Sequence, residues 1–72
     1  MEQRRWDAGE TGCGRLVFEL RAQVDKLKPG ERLEVVARDP GAPVDLPAWC
    51  RMTGHTLVSA DHPVYVIERK GD

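Results

Sequence analysis

RLVFELRAQVDKLKPGERLEVVAR, residues 15–38, changes its hydrophobic period once, at Pro29-Gly30, and that change decides the fold. Before the break, Leu16, Leu20, Val24 and Leu27 recur at helical spacing, with Val17 at the edge of the stripe, which predicts a helix over 15–28. Pro29-Gly30 stops it, and Lys26 and Lys28 fall in its predicted last turn, where cations complement the helix dipole. After the break, Leu33, Val35 and Ala37 alternate with Glu34, Val36 and Arg38, the pattern of a half-buried strand over 32–38.

Working outward, a short strand is expected over 4–7, ended by the glycine-rich stretch Gly9-Glu10-Thr11-Gly12-Cys13-Gly14. On the other side, Asp39-Pro40-Gly41-Ala42-Pro43 reads as a loop. Asp45 then serves as N-cap of a second helix through Thr53, with Pro47 in its first turn and Gly54 as its stop. Leu46, Trp49, Cys50 and Thr53 share one face of that helix. Two more strands, 56–60 and 64–69, are joined by a tight Asp61-His62-Pro63 connection. The order β-α-β-α-β-β in so short a chain implies one α/β two-layer sandwich: a mixed four-stranded sheet with both helices on one face. The strand–helix–strand units should give parallel pairs, and the final hairpin an antiparallel one.

Seventy-two residues make a single domain over 1–72, close to the lower size limit for folding on its own core. Forty per cent apolar and 32 per cent charged residues is a globular balance. A core this small leaves no room for a deep pocket, so chemistry is expected at the surface. A net charge of −1 argues against direct nucleic-acid binding. The longest apolar run, Val64-Tyr65-Val66-Ile67, is far too short for a membrane span, and Met1 to Trp6 does not read as a secretory signal. Two cysteines give neither a disulfide framework nor a zinc site, which implies a cytoplasmic chain with reduced thiols; a monomer is expected.

Cys13 is the residue whose setting suggests chemistry. It stands between Gly12 and Gly14 at a helix start, where free N–H groups and the dipole favour an anion, and Arg15 lies two residues on. All three features favour thiolate, the nucleophilic form. A buried structural cysteine is the competing reading. A thiolate alone suffices to accept a sulfane sulfur from a persulfide and pass it on, with no metal and no cofactor. Phe18 lies off the apolar stripe one turn past Cys13, and two readings of it stand open: docking a partner, or packing under the 9–14 loop. Arg15, Arg21 and Arg51 either ring the thiol or form a solvated charged face. Cys50 reads as core, His55 and His62 as turn residues rather than ligands, and Trp6 and Trp49 as core or core-edge aromatics.

Asp7 and its spacing to Cys13, Leu27-Lys28-Pro29-Gly30-Glu31, Leu33-Glu34-Val35-Val36-Ala37 and Asp39-Pro40 form an ordered set of short motifs. The set continues through Asp45-Leu46-Pro47-Ala48-Trp49-Cys50, Gly54-His55 and Arg69-Lys70-Gly71. In their order and spacing over residues 6–71 these pieces resemble the TusA/SirA family. The resemblance implies the same β-α-β-α-β-β sandwich and a sulfurtransferase relaying persulfide sulfur on Cys13. Sulfur would come from a cysteine desulfurase or another donor and go to a downstream acceptor protein. The destination would be tRNA 2-thiouridine, molybdenum-cofactor synthesis or sulfur oxidation. The family motif Cys-Pro-x-Pro reads Cys13-Gly14-Arg15-Leu16 here, so both prolines that would fix the helix start are absent. A non-catalytic binding module on the same fold and a redox-responsive thiol protein are the alternatives.

Overall fold

A computed structural model describes residues 4–71, with the backbone alone at Cys13. Its elements are β1 (Arg4–Gly9), α1 (Cys13–Asp25), β2 (Arg32–Ala37), α2 (Ala42–Thr53), β3 (Thr56–Asp61) and β4 (Val64–Glu68). The order is the one read from the periodicity, and the sheet is mixed, with strand order β1-β2-β4-β3. Leu16, Leu20, Val24 and Leu27 from the first helical stretch meet Leu46, Trp49 and Cys50 from the second. Together they cover Leu33, Val35, Ala37, Tyr65 and Ile67 of the sheet, so both helices share one face and one core. Val17, at the stripe's edge, packs partly buried against that core.

The first β-α-β unit gives the expected parallel pair, β1 with β2. The second does not: β4 inserts between β2 and β3 and pairs antiparallel with each. Tyr65 and Ile67 thereby reach the centre of the sheet under both helices, whereas β3, at the edge, has a largely exposed row of side chains. Val36, on the face away from the helices, is also buried, between its cross-strand neighbours Asp7 and Val64. That outer face is stitched by the pairs Arg5–Glu34, Arg32–Glu68 and Arg38–Asp7 at 3.2, 3.1 and 3.0 Å.

Both helices depart from expectation at their ends. α1 stops at Asp25 rather than 28, because Pro29 disfavours helical geometry in the residue before it and the chain tightens early. The Lys26 and Leu27 N–H groups bond to Gln23 and Val24 carbonyls, and Arg69 donates to the Asp25 and Leu27 carbonyls. Lys26 is therefore the C-cap and Lys28 lies beyond the helix, so neither occupies its last turn. α2 starts at Ala42, three residues before Asp45. Asp39 accepts the Gly41 N–H at 2.9 Å, and the Ala42 N–H bonds to the Asp39 carbonyl, which turns the chain into the helix at Gly41. Asp45 is in the first turn, not the N-cap, where its charge still complements the dipole. Pro47 accordingly lies inside the helix. Gly54 ends it as expected, in the left-handed conformation at φ 86°, with its N–H on the Cys50 carbonyl.

Candidate functional site at the start of the first helix

The parallel strands β1 and β2 end together, and β1 leads directly into α1. Gly9 pairs with Ala37 after a slip in register past Asp7, a bulge at the very exit of β1. Gly9 has φ +61°, a conformation that favours glycine. Its N–H donates to Asp7 Oδ1 at 2.8 Å. That bond, and next the Arg38 guanidinium at 3.0 Å on the same oxygen, hold the Asp7 carboxyl below the usual carboxylate range.

Residues 10–12 then carry the chain to α1, whose first residue is Cys13. Gly12 is the N-cap in extended conformation and offers no side-chain acceptor to the first-turn N–H groups. The first helical bond runs from the Leu16 N–H to the Gly12 carbonyl at 2.7 Å. No acid stands in the first turn. A helix of 13 residues therefore presents an uncapped, electropositive end at Cys13. Gly12 and Gly14 are exposed, and a Cβ at either would meet open space. The side chain of Cys13 lies outside the described residues.

The structure separates the remaining candidates. Arg15 is exposed and paired with Glu19 at 2.6 Å, one turn along the helix. Phe18 is 78 % exposed, which removes the reading that packs it under the 9–14 loop. The three arginines do not ring the cysteine. Arg21 is about 12 Å further along the helix axis at ~1.5 Å per residue and lies 4.0 Å from Asp25. Arg51 is in the last turn of α2, at the other end of the sheet. There a groove of ≈ 390 Å³ is lined by Arg21, Asp25, Trp49, Met52, Thr53, His55, Arg69 and Lys70.

Cys50 is a free thiol, 3 % exposed, and burial pushes its pKa up to about 11, so it is protonated at neutral pH. His55 stacks on Trp49 with ring centroids 5.3 Å apart and accepts the Lys70 N–H. His62 meets the Tyr65 hydroxyl at 2.5 Å. Trp49 of α2 and the Lys70 backbone thus hold His55, and Tyr65 of β4 holds His62. Among the described residues no cluster of His, Cys, Asp or Glu is placed to hold a metal, and no helix is long and apolar enough to cross a membrane. The sequence reading missed the role of Arg38. It appeared only as a strand-end residue, because its meeting with Asp7 depends on the parallel pairing of β1 and β2.

Known proteins match this chain along nearly its whole length. The family described as Sulfurtransferase TusA matches residues 5–69. Proteins described as Sulfur carrier protein TusA, from Pseudomonas paraeruginosa (strain DSM 24068 / PA7) and Pseudomonas aeruginosa (strain LESB58), are each 36 % identical over 70 residues. The alignments cover 92 % of this chain and 89 % of each relative. Matched by the family over residues 5–69 and by relatives over 92 % of its length, the chain belongs to the TusA family.

Proposed function

We propose that this protein is a sulfur carrier that bears sulfur on Cys13. Membership of the TusA family, whose matched relatives are described as sulfur carriers, supports the class of activity. The observation that carries the residue assignment is the position of Cys13 as first residue of α1, on an uncapped helix end just past the exit of β1. The Cys13 thiolate attacks the terminal sulfur of a donor persulfide. The donor's S–S bond breaks, the donor leaves as a thiolate, and Cys13 holds the new persulfide. First-turn N–H groups favour the anionic forms before and after transfer. Attack by an acceptor thiolate reverses the step. No net oxidation occurs, so no redox cofactor is needed.

The donor is a cysteine desulfurase or another persulfide protein, the acceptor a downstream carrier, and the setting the cytoplasm, with tRNA 2-thiolation among the destinations. Phe18, exposed on α1 five residues from Cys13, is the candidate docking residue for those partners. Intact-mass spectrometry after incubation with a cysteine desulfurase and cysteine tests the assignment. The expected result is a gain of about 32 Da, one sulfur atom, that disappears in Cys13→Ser. A folded protein with a free Cys13 thiol and no adduct would instead assign the chain to a binding module.

A further inference from the structure

Three bonds tie Asp7, Gly9 and Arg38 together. Asp7 Oδ1 accepts the Gly9 N–H at 2.8 Å, the same oxygen accepts Arg38 Nη1 at 3.0 Å, and the Arg38 N–H donates to the Gly9 carbonyl at 3.0 Å. Arg38 therefore grips the exit of β1 through both main chain and side chain. The grip falls on the bulge between Asp7 and Gly9, and a bulge re-aims the chain beyond it. Residues 10–12, the link to Cys13, lie immediately beyond. That link is lightly held: the Thr11 N–H bonds to the Ala8 carbonyl at 3.2 Å, and Gly12 and Gly14 have open space about them. Neither position flanking Cys13 is a proline, the residue that would fix φ at the helix start.

We infer that the Asp7–Gly9–Arg38 clasp is the positioning device for Cys13, holding the first turn of α1 in place where the prolines of Cys-Pro-x-Pro are absent. The inference rests on the carrier reading and deepens it. Asp7 and Arg38 are positioning residues: they act through the backbone of residues 9–12, not on the transferred sulfur.

A clasp and a simple charge effect predict opposite signs at Asp7. Removing a nearby acid lowers a thiol pKa by relieving repulsion. Breaking the clasp raises it, because the thiolate loses the oriented N–H groups of the helix end. The experiment measures the pH dependence of Cys13 alkylation by iodoacetamide in the full chain, read by peptide mass mapping. Circular dichroism checks the fold of each variant. Arg38→Ala and Asp7→Ala are each expected to raise the midpoint by about half a pH unit, roughly threefold slower reaction at neutral pH. The double variant should rise no further, and Arg38→Lys should recover part of the shift.

A midpoint that falls or stays put in Asp7→Ala overturns the clasp, as do opposite shifts that add. Where Asp7→Ala does not fold, Asp7→Asn keeps an acceptor for the Gly9 N–H but loses the ion pair. A smaller rise then supports the clasp and a fall overturns it. Sulfur loading is scored separately on the unmutated chain by intact mass. A chain with these midpoint shifts that never gains sulfur overturns the carrier reading alone. A chain that loads sulfur while its clasp variants keep the parent midpoint overturns the clasp alone.

Discussion

Two glycines near Cys13 look alike in sequence and differ in what their positions demand. Gly14 is inside the first turn of α1, at no positive φ, with open space where a Cβ would stand. Gly14→Ala should therefore raise stability by about 0.5–1 kcal/mol, because alanine loses less backbone freedom on entering a helix. Gly9 also has open space, but its φ of +61° puts it in the left-handed region. Gly9→Ala should lower stability by about 1 kcal/mol and loosen the exit of β1. Urea denaturation of the two variants checks the contrast: equal signs would mean that backbone conformation does not distinguish the two sites.

At the scale of an element, α1 is held along its stripe and at its C-terminal end. The stripe is buried in full: Leu16, Leu20 and Val24 are 0 % exposed. Leu20→Ala should cost about 2–5 kcal/mol by lost burial and the cavity left behind. In a chain of this size that is enough to shift much of the population to the unfolded state at room temperature. The C-terminal end of α1 is capped from a distance by Arg69, just past β4, which donates to the Asp25 and Leu27 carbonyls. Arg69→Ala should cost about 1 kcal/mol and raise amide hydrogen exchange in the last turn of α1 more than in its first. Uniform protection along the helix would show that the cap contributes nothing local. The fit of such a helix end to a residue forty-odd positions away is set by packing, and the lysines that the sequence offered for the task lie at or past the cap.

Across the whole molecule, the perturbed groups set opposite ends of the pH range. Cys50 is raised from 9.0 to about 11, and Tyr65 is raised from 10.0, both by burial. In the unfolded chain these groups lose their protons first, so the stability from keeping them neutral is complete below about pH 9 and is lost as pH climbs toward 11 and beyond. For Cys50 this amounts to roughly 2–3 kcal/mol. Chemical denaturation from pH 8 to 11 should show a steeper loss in the parent than in Cys50→Ala; equal slopes would exclude Cys50 as a source. Asp7 works the other way. Its folded pKa is depressed below 3.8, so its contribution is present above that value and is lost as pH falls below it. The outer sheet face, with three exposed ion pairs, adds only a small, salt-sensitive part.

The kind and order of the elements, and the apolar stripes of α1 and β2 that face the core, were legible in the residues alone. The spacing of Leu16, Leu20, Val24 and Leu27 and the alternation of Leu33, Val35 and Ala37 are local periodicities that only one kind of element can satisfy. The sequence also singled out Cys13 at a helix start, since glycine flanks and a break from loop to helical period are readable in the chain. The place of β4 was settled only by packing, because a hairpin strand can join either side of its neighbour and the central place buries Tyr65 and Ile67 under both helices, where an edge place would leave them less covered. The folded structure likewise decided that Asp39, not Asp45, turns the chain into α2, and that Arg38 reaches back to Asp7 and Gly9. The Arg38 contacts join residues from different elements, and no local pattern encodes a distance that exists only once β1 and β2 lie side by side.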